Sequence, residues 1–223
     1  MTHNRTTSTI IVTSVRKRGI DMPRKKLVEF NTNSILEAAE ALFEEKGFEA
    51  TSVDDIAKKA DMSKSTLYVY FKSKELIWDS IVCMYMEELL EDAKKAAEGK
   101  AKFEERYYGL CFDIAGLFEK HPIFYKGMLG KISLDMEQEV YKKIYDVGEQ
   151  INEAIADFIR SGIEEGAVRK DIDIYTAVFV MWPSISGIVK LAIEKEEYFR
   201  YRFNTTKDEY LKKAFGMLLE GVV

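Results

Sequence analysis

The chain has 223 residues, of which 47% are apolar and 32% charged, and its net charge is −5. These proportions are typical of a soluble globular protein and exclude a disordered chain. Only three prolines interrupt the sequence, and the β-branched run from Thr9 to Val15 has no partner run, so we predict an all-α fold. Two cysteines and two histidines are too few for a disulfide scaffold or a zinc ligand set, and we expect no metal and no cofactor.

Charge and hydropathy along the chain indicate the cellular compartment of the protein and the kind of partner that it binds. No apolar run approaches the roughly 18 residues of a membrane-spanning helix, and free thiols fit a reducing compartment. We therefore expect a cytoplasmic protein with no membrane contact. Residues 1–74 carry an excess of Lys and Arg, whereas residues 75–223 carry an excess of Asp and Glu. This asymmetry is typical of a DNA-binding head on a larger body, although ordinary scatter of charge also produces it.

Residues 1–26 are polar, and we predict that they form a poorly ordered tail before a head at residues 27–74 and a body at residues 75–223. A basic cluster lies within this tail: Arg16, Lys17, Arg18, Arg24, Lys25 and Lys26. Such a cluster either reaches DNA phosphates or the minor groove, or it remains solvated without a partner.

The first predicted helix begins at Asn33 and carries one apolar stripe. Its members follow the i, i+3, i+4, i+7, i+8 spacing of a single helical face: Ile35, Ala38, Ala39, Leu42 and Phe43. Gly47 then supplies a left-handed stop, and Phe48 folds back to cover it, as in a Schellman ending. The pattern predicts an amphipathic helix that ends before Gly47.

Three more helices follow, and each is preceded by a serine suited to cap its N-terminus. Ser52 begins the first of them, and Asp55 completes a capping box with it. Ser63 caps the second after a tight turn at Asp61-Met62, and Ser73 caps the third. The first of these helices ends near Ala60, the second runs from Lys64 to Phe71, and the third runs from Lys74 toward Ala97.

Two short helices joined by a tight turn in a basic segment are typical of a helix-turn-helix. Ala57 is small where the two helices would cross, and Met62 and Leu67 are apolar where the second would pack. No Asp or Glu lies between Met62 and Lys74. The exposed face of the helix from Lys64 to Phe71 therefore offers donors to a polyanion without repelling it, and we predict that this helix enters the DNA groove.

Characteristic sequence motifs extend over these four helices, between Ser34 and Ile77. The sequence there contains ILEAAEALFEEKGFEATSVDDIAKKADMSKSTLYVYFKSKEL. Its motifs are the A-A-x-x-L-F helix, the G-[FY]-x-x-T-[ST] entry, the D-I-A helix and the string S-x-x-[TN]-L-Y-x-[YH]-F-x-[ST]-K-E. In these motifs the chain strongly resembles the TetR/AcrR family of regulators. Asp61 departs from the glycine usual in that family, but aspartate tolerates left-handed backbone, so we expect an intact turn.

The resemblance implies two groups of DNA contacts. The residues at base-contacting positions are Ser63, Lys64, Ser65 and Thr66. The residues at phosphate-contacting positions are Ser52, Val53, Tyr68, Tyr70 and Lys74, the first two through their backbone N–H groups. Lys64 is the expected guanine contact, because its side chain has the reach and charge for O6 and N7. The alternative is that Tyr68 and Tyr70 are core aromatics, but residues two apart on a short helix cannot both face inward.

The body is predicted to continue as helices that end in a dimerisation module. The predicted helices span Phe103–Glu119, Ile123–Leu129, about Met136–Glu165, about 174–196 and about 206–221, with a hinge at 166–173. The last two are expected to pair with a second copy as a four-helix bundle. Their apolar residues are Val178, Val180, Ile185, Ile188, Val189, Leu191, Ile193, Leu211, Phe215, Leu218 and Leu219.

Aromatic and methionine residues are dense in the body, and an apolar pocket there is the expected effector site. The predicted pocket residues are Phe112, Tyr125, Met128 and Trp182. The alternative is that these residues are plain core. Pro183 is expected to kink its helix and open a cavity.

The function implied by the resemblance is a ligand-responsive, DNA-binding transcriptional regulator. As is usual in the family, we expect a repressor that binds a palindromic double-stranded operator as a homodimer and is released by a small, largely apolar effector. A dimeric DNA-binding protein without an effector is the alternative. An enzyme is not expected, because His121 stands alone before Pro122 and no catalytic constellation accompanies it.

Overall fold

The computed structural model describes residues 23–128 and 135–221, and these residues contain ten α-helices and no strand. The predicted all-α fold is confirmed. The helices are α1 (Arg24–Lys46), α2 (Val53–Lys59), α3 (Lys64–Tyr70), α4 (Lys74–Glu98), α5 (Phe103–Lys120), α6 (Pro122–Met128), α7 (Glu139–Glu164), α8 (Ile174–Glu194), α9 (Glu196–Phe203) and α10 (Lys207–Glu220).

The first helix is longer than predicted. α1 begins at Arg24 rather than at Asn33, so the basic residues 24–26 belong to its first turn and not to a tail. The apolar stripe marked only its buried part, because the first buried residue of α1 is Ile35 and the preceding turns are mostly exposed. The rest of the predicted tail, residues 1–22, lies outside the described residues.

The end of α1 differs from the predicted Schellman geometry. Gly47 has the expected positive φ of 85°, but its ψ of 160° is extended rather than left-handed helical. Phe48 does fold back, since its ring lies 5.3 Å from that of Phe43. A Schellman ending occurs instead at α2, where the amide of Met62 donates to the carbonyl of Ala57 at 2.9 Å.

Asp61 occupies the left-handed position of that ending, with a φ of 53°. Its amide donates to the carbonyl of Lys58 at 3.2 Å, which completes the pair of bonds that the motif requires. The expectation that aspartate keeps this turn intact is confirmed.

The predicted serine caps are present at all three helices. The hydroxyl of Ser52 accepts from the amide of Asp55 at 3.2 Å, and the Asp55 carboxylate accepts from the amide of Ser52 at 3.0 Å, which is a capping box. Ser63 accepts from the amide of Thr66, and Ser73 from that of Leu76. These bonds satisfy N–H groups at the helix starts that have no partner within the helix, so they fix where α2, α3 and α4 begin.

α4 connects the head to the body. In the head, Ile35, Ile56, Leu67 and Ile77 are fully buried and form the core around which α1, α2, α3 and the start of α4 pack. In the body, α4 packs against α5, α6 and above all α7. α4 therefore belongs to both parts of the chain, and it begins four residues after the end of α3.

The far end of α4 is fixed by a buried arginine. Arg106 of α5 donates to the carbonyls of Ala96 at 2.5 Å and Ala101 at 2.9 Å, and it pairs with Glu165 at the end of α7. Its side chain is only 4% exposed. Because helix C-termini leave carbonyls without partners, a buried guanidinium joins the ends of three segments here.

The C-terminal region contains one more helix than predicted, because α9 lies between α8 and α10. Its sequence carries little sign of a helix, since Phe199 is its one buried residue and no apolar stripe marks it. The predicted helices α5, α6, α7, α8 and α10 are confirmed to within a few residues.

α8 is the one helix among the described residues that is long and apolar enough to cross a membrane, by length and composition alone. The core helix of a soluble protein passes the same test, so this finding does not contradict the predicted absence of a membrane-spanning helix. The sequence search looked for an unbroken apolar run, and Pro183, Ser184 and Ser186 interrupt this one. In the structure α8 packs against α5, α7 and α10, as a core helix does.

Candidate DNA interface and effector site

α3 presents one exposed, polar face. Leu67 and Phe71 are buried against the head core, whereas the residues between and before them on the opposite face are exposed: Lys64, Ser65, Thr66, Tyr68 and Val69. The separation follows from the helical repeat, because positions 67 and 71 are four apart and share one face. Four of the predicted DNA contacts therefore lie together on the surface of α3.

Hydroxyl groups cluster at the N-terminus of α3. The Oγ of Ser63 lies 2.8 Å from that of Ser65 and 2.7 Å from the Oγ1 of Thr66. Each hydroxyl can donate or accept by rotation. The cluster thus offers adaptable hydrogen bonding at the end of α3 where the helix dipole favours an anion.

Lys64 is held by a neighbouring carboxylate. Its ammonium lies 2.9 Å from the Oδ2 of Asp54 on α2, and the hydrogen bond to Asp54 raises the pKa of Lys64. Both side chains are largely exposed, and exposed ion pairs add little to stability because water screens them. The pair therefore orients Lys64 without preventing it from turning to a stronger acceptor.

Lys74 makes hydrogen bonds within the head in addition to the phosphate contact predicted for it. Its ammonium donates to the carbonyls of Phe48 at 2.6 Å and Thr51 at 2.9 Å, and it lies 4.1 Å from the centre of the Phe48 ring. Two of its three N–H groups thus hold the loop that leads into α2. The charge of Lys74 consequently sits next to Ser52 and Val53 at the start of α2.

The two tyrosines of α3 occupy different environments. Tyr68 is exposed, whereas Tyr70 is half-buried against the core and its hydroxyl accepts from the Nδ2 of Asn31 at 2.7 Å. The two residues do not both face inward, as predicted. Contact with phosphate stays a prediction for both tyrosines. The hydroxyl of Tyr70 would contact a phosphate while it also accepts the hydrogen bond from Asn31 of α1.

One of the two backbone N–H groups predicted to bind phosphate at the start of α2 is already used by the helix cap. The amide of Ser52, predicted to meet a phosphate, donates instead to the carboxylate of Asp55. Hydrogen bonds from Lys46 and from Ser52 hold the pKa of Asp55 well below its usual range, so this carboxylate is ionised. A phosphate at this position would compete with that charge, and Val53 is the better placed of the two predicted backbone donors.

The predicted effector residues are not brought into one group. Tyr125 and Trp182 both pack against Phe118, at ring distances of 5.2 and 6.0 Å. Phe112 packs elsewhere, against Phe215 of α10, and is 36% exposed. Met128 is half-buried at the edge of the core. Ring-on-ring packing around Phe118 resembles the plain core that the sequence left as the alternative.

A cavity of about 750 Å³ lies instead between the head and the body. Its lining joins Asn33 and Tyr70 of the head to Met84 of α4 and Lys143 of α7. No pattern in the sequence indicated this cavity, because its walls come from segments that only tertiary packing brings together.

The predicted dimerisation residues separate into two sets. Those that fill the core of the chain itself are Val178, Ile185, Val189, Leu211, Phe215 and Leu219. Those that are exposed are Val180, Leu191 and Ile193, while Ile188 and Leu218 are half-buried. Phe179, 64% exposed on α8, and Met217 on α10 add to the exposed set. Burial separates the inner from the outer face of α8, which periodicity alone did not, and the pairing with a second copy stays a prediction.

One polar cluster was missed by the sequence. His121, interpreted as isolated, lies with Nδ1 2.9 Å from the Oε1 of Glu40, and Glu44 lies beside them. The spacing of the two glutamates on α1 was visible, but their partner is far along the chain and only the fold brings it near.

Comparison with known proteins agrees with this geometry. Residues 35–80, which span the helices of the head, match the family described as bacterial regulatory proteins, tetR family. The HTH-type transcriptional regulator YhgD of Bacillus subtilis is 32% identical over 147 residues, which are 66% of this chain and 71% of that protein. The HTH-type transcriptional repressor KstR2 of Mycobacterium tuberculosis is 29% identical over 150 residues, which are 66% of this chain and 74% of that protein.

A solved structure extends the similarity beyond the head. The TetR family transcriptional regulator PfmR of Thermus thermophilus superposes with a TM-score of 0.63 at 29% identity. The match covers 83% of this chain and 97% of that one. The similarity therefore includes the helical body as well as the helix-turn-helix.

Proposed function

Because the chain belongs to the TetR family of transcriptional regulators, we propose that it is a cytoplasmic repressor that binds a palindromic DNA operator as a homodimer. The observation that carries the proposal is the exposed face of α3, which bears Lys64, Ser65 and Thr66 and has no acidic residue. Repression agrees with the name of the relative KstR2. Relatives in this family are regulators and not enzymes.

DNA binding would divide the head residues into two roles. Ser63, Lys64, Ser65 and Thr66 would contact base edges, because they lie at the N-terminal end of the helix that enters the major groove. The phosphate contacts would come from Val53, Tyr68, Tyr70 and Lys74, with a weaker contribution from Ser52. Phosphate contacts position the protein, and base contacts select the sequence.

Dimerisation would use the exposed apolar face of α8 together with Met217 of α10. Phe179, Val180 and Leu191 lie on α8 with more than a third of their surfaces exposed, which is unusual for a face without a partner. A twofold axis through this face would pair identical patches. It would also present two copies of α3 for half-sites about 34 Å apart.

Effector release would act through α4. A small apolar molecule that favours a different packing of the body would tilt α4 about the end held by Arg106 and move the two heads apart. A coupling of about 1–3 kcal/mol, roughly 5–150-fold in DNA affinity, is sufficient for regulation.

The alternative is a dimeric DNA-binding protein without a small effector. The ring-on-ring packing of Tyr125 and Trp182 against Phe118 favours it, because this part of the body is filled by its own side chains. Thermal-shift screening with apolar compounds separates the two functions, since an effector that binds the folded state raises the melting temperature.

Selection of bound sequences from random double-stranded DNA tests the proposal. We expect a palindrome whose half-sites are separated by about one turn of DNA, roughly 10–10.5 base pairs. Recovery of no enriched sequence, or of a motif without twofold symmetry, would contradict it.

A further inference from the structure

Three side chains meet where the head touches the body. Glu40 and Glu44 lie one turn apart on α1, and His121 lies between α5 and α6. One ligand atom from each of the three is within 4.8 Å of the others. Residues four apart on a helix project from the same face, so both carboxylates point toward the imidazole.

The imidazole and one carboxylate are held in place by Tyr85 of α4. The Tyr85 hydroxyl donates to the Oε1 of Glu40 at 2.6 Å, and its ring stacks on that of His121 at 3.8 Å. Hydrogen bonds of this kind to a ligating carboxylate are the usual outer contacts of a metal site. Burial is asymmetric, because Glu40 and His121 are mostly buried while Glu44 is exposed and open to solvent.

A purely structural role would be a hydrogen-bonded contact between Glu40 and His121. That role leaves Glu44 unexplained, because a second carboxylate beside the first adds repulsion. The ligand atoms of Glu40 and Glu44 lie within 4.8 Å of each other, so two ionised carboxylates repel at close range. A cation between them would remove this repulsion.

We propose that Glu40, Glu44 and His121 form a binding site for a divalent transition-metal ion of the zinc class, which bridges the head to the body. Two carboxylates and one imidazole nitrogen are ligands that zinc accepts, and three protein ligands leave a fourth position for water. The imidazole ligand would be the Nδ1 of His121, which is the ring nitrogen that faces Glu40.

The geometry requires only small adjustments. In a tetrahedral zinc site with bonds of about 2.0–2.2 Å, ligand atoms lie roughly 3.4 Å apart. Glu40 and His121 are slightly closer than this at 2.9 Å and would separate. Glu44 would move inward, which its exposed side chain allows.

The metal would join α1 directly to the turn that precedes α6, so it would fix the head relative to the body. A change in DNA affinity follows from this bridge, and this consequence rests on the proposed function. The binding of the metal itself does not, so the two can fail separately.

Calorimetric titration of the full-length chain with zinc, after removal of metal by a chelator, tests the site. We expect one saturable zinc ion per chain. We also expect a melting temperature higher by roughly 5–10 °C when free zinc exceeds its dissociation constant about 100-fold. Glu44→Gln and His121→Asn should weaken zinc binding at least about tenfold, because each removes one ligand. The asparagine can still donate to Glu40, so the second variant keeps a contact between head and body.

Two matched controls exclude binding elsewhere. Glu45→Gln removes the same charge from the next, exposed residue of α1 and should leave zinc affinity within about twofold, as expected for a surface charge away from the site. His3→Ala removes the other histidine of the chain and should also leave it unchanged. Zinc binding that does not saturate, or that survives intact in both Glu44→Gln and His121→Asn, would overturn the site.

The DNA consequence has a separate measurement. Operator affinity should differ at least about fivefold between zinc-loaded and chelator-treated protein, and this difference should vanish in His121→Asn. Equal affinities in a protein that binds zinc would overturn the bridge between the head and the body. Failure to bind any DNA in both the zinc-loaded and the chelator-treated state would instead contradict the proposed function, whatever the zinc titration shows.

Discussion

Lys64 and Lys74 both carry positive charge in the head, but their surroundings give them different roles. Lys64 is exposed and makes one weak ion pair with Asp54. Lys74 is half-buried and donates to two backbone carbonyls. An exposed, adaptable ammonium suits contact with a base edge, whereas a fixed one suits a phosphate at a constant position.

Replacing Lys64 by alanine should relax base preference. The charge of the lysine favours the O6 and N7 acceptors of guanine, so its loss should lower discrimination at the selected base pair roughly 5–150-fold. Stability should change little, because the side chain is exposed. Competition binding with single-base operator variants measures this, and Asp54→Asn is the control that frees Lys64 without removing it. Unchanged base preference in Lys64→Ala would contradict the role.

Lys74→Ala should weaken binding to all duplexes alike and lower the slope of log affinity against log salt by about 1. It should also destabilise the head, because the carbonyls of Phe48 and Thr51 lose their donor. Titration of specific and random duplexes at several salt concentrations, with urea unfolding in parallel, measures both effects. If Lys64→Ala and Lys74→Ala behaved identically, the division of roles would be wrong.

At the residue scale, local chemistry was predictable and distant partners were not. The caps Ser52, Ser63 and Ser73 depend on bonds within three residues, and the sequence located each of them. The ion pair of Asp54 with Lys64 and the cluster around His121 depend on how helices pack, which spacing along one helix cannot reveal.

At the scale of elements, α4 connects the two parts of the chain. Its C-terminal end packs in the body, and its N-terminal end follows α3 in the head. Arg106 fixes the body end by joining the C-terminus of α4 to α5 and α7. Helix boundaries were predictable where a buried stripe or a cap marks them. The early start of α1 and the whole of α9 were not, because few of their residues are buried.

Arg106→Met should destabilise the protein by about 1–3 kcal/mol, because the buried carbonyls that accept from Arg106 lose their donor. The substitution removes a buried cation from Glu165 and from several carbonyls. Urea unfolding followed by circular dichroism measures the change. Arg169→Met is the matched control: its pair with Asp171 is exposed and should contribute less than about 1 kcal/mol. Equal effects of the two substitutions would show that Arg106 does not anchor α4.

At the scale of the whole molecule, one apolar face of the described residues remains exposed on α8 and α10. The sequence predicted that these two helices carry this face, but it could not separate the residues that fill the core from those that remain exposed. The structure makes that separation, and it places Phe179 in the exposed set.

If the proposed dimer forms through this face, Phe179→Glu should convert it to monomer, because a carboxylate from each copy would be buried in the interface. Operator affinity should fall with it, since one head contacts one half-site. Analytical ultracentrifugation and operator titration measure the two effects. Tyr145→Glu, at an exposed aromatic of α7, is the control and should remain dimeric. A Phe179→Glu protein that stays dimeric would place the interface elsewhere.

The account as a whole depends on α3 binding in a DNA groove, and equilibrium titration of a double-stranded operator across a range of salt concentrations tests this most directly. Each phosphate that the protein neutralises should contribute about −0.9 to the slope of log affinity against log salt, so we predict a steep linear loss of affinity as salt rises. The contrary result would be an affinity that does not depend on salt, or no measurable affinity for any duplex.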